Sequence, residues 1–232
     1  CDNKPLNQKP RPLRRAKQEF AVSQKSFSLQ AGEKSVELPV LSGSIGPECV
    51  DIGKLYKETG TFTYDPGFMS TASCRSAITY IDGDAGVLQY RGYPIEQLAK
   101  HSNFSEVSYL LMNGNLPDKA ELSKFEHEVT HHSMMHEAFR TFLYGFRHDA
   151  HPMAMMTGML GSLAAFYHSD LNLDDPEARR MAAIRLLAKV PTIAAACYRY
   201  SIGWPIRYPK NNLEYVDRFL HMMFEVPSEP LH

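Results

Sequence analysis

Residues 152–166 read PMAMMTGMLGSLAAF, an almost wholly apolar run that opens with a proline at a first-turn position. A helix that is apolar on every side is typical of a buried helix. Gly158 and Gly161 have no side chains, so a neighbouring helix can approach that side of the helix closely. Because methionine fills irregular gaps in packed interiors, we interpret the run as core and not as a cofactor-binding segment. It predicts a helical core.

Helical periodicity extends outward from this run, beginning after Gly92. Predicted helix starts carry a polar cap or a first-turn proline: Asn103 with Glu106, Asp118 with Glu121, Asp175 with Pro176, and Asn211 with Glu214. The helix after Asp118 is predicted to run to about Phe146. Pro191 is expected to kink or break the helix that follows Asp175, and the last helix is predicted to run through Phe224.

The part of the chain before Gly92 has a different pattern. Apolar and polar residues alternate between Phe27 and Val40 on either side of a turn at Gly32, which predicts a β-hairpin. A second hairpin is predicted around 82–84, where Asp-Gly-Asp separates two apolar runs. Phe62 and Tyr64 are expected to form a short extended piece.

These patterns predict a mainly α protein with a small N-terminal β region. Three parts are expected: a basic disordered tail over 1–25, a small β region with hairpins over 26–92, and helices over 93–232. Few apolar groups are available to fold the tail, so a solvated tail is the simplest interpretation and a polyanion-binding arm is the alternative.

The composition of the 232 residues excludes several classes of protein. Apolar residues make up 44%, which excludes disorder throughout. Lys and Arg number 25 against 26 Asp and Glu, which argues against a dedicated nucleic-acid-binding protein. A run of 18 apolar residues is absent, so we expect no membrane span. Four cysteines without CxxC spacing are too few for a disulfide scaffold, and a cytoplasmic location is the simplest expectation.

The histidines are candidates for chemistry, and they do not form a complete catalytic set. His127 with His131, and His132 with His136, are each spaced four apart, as a helical zinc-binding pair would be. The HExxH pattern that begins at His136 fails at Arg140, and we expect no metal site. His148 and His151 flank Asp149, so that a carboxylate could orient an imidazole; a helix N-terminus at His151 is the alternative.

Asp82 and Asp84 are read as turn residues. Motifs of phosphate-binding loops, dinucleotide-binding loops and serine-hydrolase elbows are absent from the sequence. From the residues alone, the chain is therefore a helical domain with a β appendage and no identified chemistry.

The chain resembles bacterial type II (hexameric-type) citrate synthases from about residue 27 to about residue 230. The runs that carry the resemblance are TYDPGFMSTASC at 63–74, ITYIDGD at 78–84, YRGYPI at 90–95, FRHDAHPM at 146–153, AAFYH at 164–168, YRYSIG at 198–203 and MMF at 222–224. The resemblance implies a helical large domain, present here incompletely, and assembly as a dimer or hexamer. It also implies condensation of oxaloacetate with acetyl-CoA to citrate and CoA, the entry step of the tricarboxylic acid cycle.

The resemblance assigns no catalytic residue to this chain. In the family, an Asp and two His perform acid–base chemistry on the acetyl group and its enol. They lie in the C-terminal half, and the resemblance implies that they fall beyond His232. The resemblance also implies that His148 and His151 belong to a structural motif of the family and not to its active centre. We therefore expect an inactive N-terminal fragment with no cofactor. The alternatives are a non-catalytic truncated subunit that binds a partner or a regulatory nucleotide, and a 2-methylcitrate synthase that uses propionyl-CoA.

One regulatory site is implied, at positions that bind inhibitory NADH in some members. The matching residues are His132, Met134, Tyr167, Arg185 and Lys189. Arg185 and Lys189 lie one helical turn apart and could face a pyrophosphate; a salt-bridged helix face is the alternative. The sequence departs from that pattern at four positions, where Arg, Thr, Gln and Cys are replaced by His131, Ser133, Trp204 and Ser228.

Overall fold

The computed structural model describes residues 21–170, 172 and 174–227, with side chains described from Lys25 onward. The chain divides into two compact units, residues 1–100 and 101–232. Residues 1–20 of the predicted tail lie outside the described part, and strand β1 begins at Ala21. His232, the residue beyond which the catalytic groups are expected, lies outside the described part as well.

The first unit holds two small antiparallel sheets. Its strands and helices are β1 Ala21–Ala31, β2 Lys34–Ser42, β3 Cys49–Val50, α1 Leu55–Thr59, β4 Thr79–Asp82, β5 Val87–Tyr90, β6 Tyr93–Pro94 and α2 Ile95–His101. The sheets have the orders β1-β2-β3 and β4-β5-β6. Leu29 pairs with Val36 across the first hairpin, and Gly32 has the positive φ of 64° that its turn requires. The first predicted hairpin is thereby confirmed.

The second hairpin, β4–β5, is confirmed as well, and its turn is held by Asp82. The carboxylate of Asp82 accepts a hydrogen bond from the backbone N–H of Ala85 at 2.9 Å. Side chains of this type favour turns because they satisfy the backbone locally. The structural interpretation of Asp82 is therefore confirmed.

The short extended piece predicted at Phe62 and Tyr64 joins no sheet, and a turn follows it at Pro66 and Gly67. The chain turns around Asp65, whose carboxylate accepts hydrogen bonds from the backbone N–H groups of Met69 and Ser70. The Thr71 hydroxyl donates a third, which is the largest cause of the lowered pKa of Asp65. These local bonds hold the turn that follows Asp65.

The second unit is helical. It contains α3 Phe104–Asn113, α4 Lys119–His131, α5 Ala138–Leu143, α6 Pro152–Phe166, α7 Pro176–Ser201 and α8 Tyr215–Phe224, with a short 3₁₀ turn at His168–Asp170. Both predicted capping boxes form, Asn103 with Glu106 and Asp118 with Glu121. Pro152 and Pro176 occupy first-turn positions as predicted. The predicted class, mainly α with a small β region, is confirmed.

The long helix predicted from Asp118 to about Phe146 is wrong, since α4 ends at His131 and α5 begins at Ala138. The carbonyl groups of the intervening segment are bound by α7. Lys189 donates to the carbonyls of His132 and Met134, and Thr192 donates to that of Ser133. Carbonyls held from outside in this way are withdrawn from the helical ladder.

A break at Pro191 is wrong, because α7 continues through that residue to Ser201, and a kink there stays a prediction. A proline removes the N–H that would bind the carbonyl four residues earlier, which here belongs to Leu187. The hydroxyl of Tyr215 donates to that carbonyl at 2.8 Å. Tyr215 therefore satisfies the backbone group that the proline leaves vacant.

The last helix begins later than predicted. Glu214 is the residue that precedes α8, and its side chain makes no cap hydrogen bond. The predicted cap, Asn211, lies in a turn whose carbonyls at Lys210 and Leu213 accept from the guanidinium of Arg218. Those bonds from α8 hold the turn in a non-helical path.

The main core lies between α5, α6 and α7. Its buried members are Phe139, Leu143, Met155, Met159, Leu163, Ile193, Ala196, Cys197 and Tyr200. Burial raises the pKa of the Cys197 thiol to about 11. A Cβ atom on Gly158 would lie 2.8 Å from the Phe146 ring. The absence of a side chain at Gly158 therefore leaves room for that ring. The prediction that α6 is buried on every side is wrong, since Met153 is 59% exposed.

Helix α7 is, among the described residues, the one helix long and apolar enough to cross a membrane. It is also the helix that supplies the centre of the core, where Ile193 and Cys197 are buried. Core helices of soluble proteins meet the same criteria of length and composition.

Replacement of Phe139 by Ala should lower the free energy of unfolding by about 3–5 kcal/mol, the usual cost of removing a buried aromatic ring. Phe139 is 1% exposed, whereas Phe142 on the same helix is 44% exposed. Phe142→Ala is therefore the matched control, with an expected loss of under about 1 kcal/mol. Urea denaturation followed by circular dichroism measures both. Equal losses would contradict this assignment of the core.

Candidate functional site

The five residues matched to the regulatory nucleotide site come together in the second unit. We call them the Tyr167 cluster: His132, Met134, Tyr167, Arg185 and Lys189. They come from three places, namely the segment that follows α4, the end of α6, and one face of α7. The fold thus assembles residues that are up to 57 positions apart in sequence.

Lys189 is the buried cation of the cluster. Its side chain is buried, with 2% of the residue exposed, and its ammonium group donates to the carbonyl of His132 at 2.7 Å and to that of Met134. Buried charges need such partners, because water no longer solvates them. Lys189 therefore serves to hold the backbone of 132–134. In this conformation its donors face carbonyl oxygens and not an open surface.

Tyr167 lies between the two cations. The guanidinium carbon of Arg185 is 4.6 Å from the ring centroid, and the ammonium nitrogen of Lys189 is 5.5 Å from it. Both distances fall within the range of cation–π attraction. One aromatic ring therefore attracts two cations that lie one helical turn apart on α7.

Arg185 is the partly accessible cation of the cluster. Its Nη2 atom lies 2.8 Å from a carboxylate oxygen of Asp170 in the 3₁₀ turn. A hydrogen bond from Ser169, and then Arg185 itself, lower the pKa of Asp170. The Nε atom of Arg185 is buried and has no hydrogen-bond partner within the described ranges. The accessible side of this guanidinium is the one that pairs with Asp170.

The electrostatic environment of His132 reflects its position beside these cations. Burial lowers the pKa of His132, and the charges of Arg185 and Lys189 lower it further. The cluster therefore favours the neutral form of His132, and its charged groups are Lys189 and the ion pair of Arg185 with Asp170.

The structure brings together one of the two predicted histidine pairs and separates the other. His127 and His131 share a face of α4, with ring centroids 3.8 Å apart. His132 and His136 do not share a helix, because α4 ends at His131. His136 instead accepts from the N–H of Ala138 at the start of α5. Within residues 21–170, 172 and 174–227, no group of three or more His, Cys, Asp or Glu converges on a metal position.

The expectation that Asp149 orients an imidazole is wrong. Asp149 pairs with Arg147, whose guanidinium nitrogens lie 2.7 and 2.8 Å from its oxygens. His148 stacks on Tyr200 and contacts the carbonyl of that residue through Nδ1. The alternative for His151 is confirmed, since its ring accepts from the N–H of Met153 at the start of α6.

The placement of the catalytic Asp and His beyond His232 stays a prediction. His232 falls outside the described residues, so its surroundings carry no argument about those groups. The described histidines engage in structural contacts where their partners are defined, as at His148 and His151. We accordingly assign no catalytic role to any residue of this chain.

Trp204 and Arg199 form a contact that the sequence does not predict. Arg199 is almost fully buried and donates to the carbonyls of Pro205, Met223 and Glu225. The Trp204 ring covers its guanidinium at 5.1 Å. Trp204, one of the four departures from the nucleotide-binding pattern, therefore has a structural use. Ser228, another departure, lies outside the described residues.

Arg218 and Asp170 are also not predicted from the sequence. Arg218 is a buried cation whose partners are carbonyls and the Thr130 hydroxyl, 88 positions away. Asp170 is the carboxylate partner of Arg185. Neither is marked by a local pattern, because each is defined by a partner distant in sequence.

Comparison with known proteins agrees with this architecture. A family model described as citrate synthase, C-terminal domain, matches residues 67–232. The crystal structure of citrate synthase from Thermotoga maritima MSB8 is similar with a TM-score of 0.61 and 33% identity over 70% of this chain. That of citrate synthase from Pyrobaculum aerophilum gives a TM-score of 0.61 and 32% identity over 72% of this chain.

A third structure is alike in fold. It is the ternary complex of citrate synthase from Thermoplasma acidophilum with carboxymethyl coenzyme A and oxaloacetate, with a TM-score of 0.65 and 24% identity over 70% of this chain. The chain spans 42–45% of the length of these three synthases. Because the family model matches well over half of the chain, this protein belongs to the citrate synthase family.

Proposed function

We propose that this chain is part of a type II citrate synthase that condenses oxaloacetate with acetyl-CoA to give citrate and CoA. The observation that carries the proposal is the family match over residues 67–232, which includes the whole α5–α6–α7 core. The motif runs between 63 and 224 support the type II assignment. The acyltransferase chemistry is proposed for the whole enzyme, of which this chain corresponds to the part that precedes the catalytic residues.

The polar groups of this chain support a scaffolding role. His148 contacts the Tyr200 carbonyl, His151 caps α6, and Lys189 holds the segment after α4. His221 lies 3.0 Å from Glu225, and its pKa is lowered by burial. Histidines engaged in this way support a chain that shapes the enzyme and leaves proton transfer to other residues.

The 232-residue chain alone should release no CoA above the blank from acetyl-CoA and oxaloacetate. A thiol-release assay measures this, and the polypeptide encoded by the complete reading frame is the positive control. That polypeptide should form citrate. CoA release by the 232 residues would show that their own histidines or carboxylates are catalytic. Equal or faster turnover of propionyl-CoA by the longer polypeptide would contradict the citrate assignment in favour of 2-methylcitrate.

We further propose that α8 contributes to self-association as a dimer or hexamer. Val216, Leu220 and Phe224 are exposed and four residues apart, so they form one apolar stripe along this helix. Apolar stripes of this kind on a surface mark interaction sites. Assembly of this enzyme is expected to cover the stripe.

The double variant Val216→Lys/Leu220→Lys should shift the chain toward monomer, because burying two ammonium groups in an apolar interface is costly. Light scattering coupled to size-exclusion chromatography measures the mass. Asp217→Lys, at an exposed position on the same helix, is the matched control and should leave the mass distribution unchanged. A monodisperse monomer of the unaltered chain would contradict the proposal.

The Tyr167 cluster is proposed as a regulatory site for an anionic nucleotide such as NADH. The two cations that converge on the Tyr167 ring support this proposal. The enzyme is expected to need no other cofactor, to bind small-molecule substrates and to act in the cytoplasm, away from nucleic acid and membranes.

Replacement of Arg185 by Gln should weaken NADH binding about tenfold, as expected when a charged hydrogen-bond donor is lost. Arg180→Gln is the matched control, since Arg180 lies on the same helix and pairs with Glu128 and Glu177 instead. Isothermal titration calorimetry measures the dissociation constants. Equal affinities for both variants, or no NADH binding by the unaltered chain, would exclude the site.

A further inference from the structure

The imidazole rings of His127 and His131 lie against each other on an exposed face of α4. Their centroids are 3.8 Å apart and the ring planes are inclined by 32°. Both side chains are exposed, so that neither ring is packed away from an incoming ligand. Two imidazoles at positions i and i+4 of a helix can bind one metal ion between them, because their free nitrogens project from the same face.

The tautomer of the neutral His131 ring is set by its own helix. Nδ1 of His131 lies 2.8 Å from the backbone carbonyl of His127. A carbonyl can only accept, so Nδ1 carries the hydrogen and the lone pair of the neutral ring is on Nε2. Histidines that ligate metals characteristically donate their other ring N–H to a carbonyl or carboxylate, which orients the ring. His131 has this arrangement already.

The surroundings of the pair favour a cation. His127 and His131 line a cavity of about 360 Å³ between α4 and the start of α8. The charged groups in its lining are the carboxylates of Glu126 and Glu214 and the guanidinium of Arg218. Arg218 is 5% exposed and donates to the carbonyls of Lys210 and Leu213 and to the Thr130 hydroxyl. Two carboxylates against one engaged guanidinium give the lining a net negative charge.

We propose that His127 and His131 form a surface site for a late divalent transition metal of the Cu²⁺, Ni²⁺ or Zn²⁺ class. Imidazole nitrogens prefer these ions, whereas Mg²⁺ prefers oxygen ligands. Among the described residues no third His, Cys, Asp or Glu joins the pair closely enough to ligate, so water completes the shell. The site revises the expectation of no metal that the failed HExxH pattern suggested. It lies on α4, outside the Tyr167 cluster.

The test is calorimetric titration of the untagged chain with ZnCl₂, compared with the variants His127→Gln and His131→Gln. Each variant should weaken zinc binding at least about tenfold, since loss of even a supporting partner costs that much in metal affinity. His101→Gln, which removes another exposed histidine, is the matched control and should bind as the unaltered chain does. Titration with MgCl₂ should give no binding at the pair.

A spectroscopic readout identifies the ligands. Electron paramagnetic resonance of the chain with one equivalent of Cu²⁺ should show coupling to two imidazole nitrogens, and one in either single variant. Circular dichroism checks that α4 stays folded. The proposal fails if the unaltered chain binds no zinc, if His101→Gln weakens binding as much as the other two variants, or if the nitrogen coupling is the same in all variants.

Discussion

The buried ammonium group of Lys189 determines the course of the chain between α4 and α5. It lies on α7 and binds the carbonyls of His132 and Met134, and Thr192 one turn further on binds that of Ser133. Once these carbonyls point at α7, α4 has to end and the chain has to enter α5 from a fixed direction. Phe139 and Leu143 of α5 are thereby placed against α6. One cation thus links the position of a loop to the packing of the core.

The same physical solution recurs at Arg199 and Arg218. Each is a buried cation whose hydrogen-bond partners are neutral oxygens of the irregular segments between and beside α7 and α8. Burial lowers the pKa of both guanidinium groups, yet arginine remains charged at any physiological pH. Several carbonyl oxygens around one cation compensate for lost water and fix irregular segments that have no ladder of their own. The connection between α7 and α8 depends on these two residues.

Sequence reasoning succeeded where the determining contacts are local. The capping boxes at Asn103 and Asp118 and the turn at Asp82 involve residues three positions apart, and all three form. It failed where a distant partner overrides a local preference. Pro191 does not break α7, because Tyr215, 24 positions later, satisfies the Leu187 carbonyl.

The residues of the candidate site show the same division between local and distant contacts. The Tyr167 cluster was found through a family resemblance, and no spacing rule would have grouped its members. The ion pair of Arg185 with Asp170 has no signature in the sequence, since arginines and aspartates are common on helix surfaces. The spacing of His127 and His131 was visible, but the bond that fixes the tautomer of His131 required the folded structure.

The burial of Cys197 makes its thiol a native reporter of transient opening of the helical core. The thiol sits in the core contributed by α5, α6 and α7, and its raised pKa leaves almost no thiolate at neutral pH. Cys74, by contrast, is exposed. A thiol reagent therefore labels Cys74 at once and reaches Cys197 only when the helices separate. The slow phase of labelling then measures how often the core opens in native buffer.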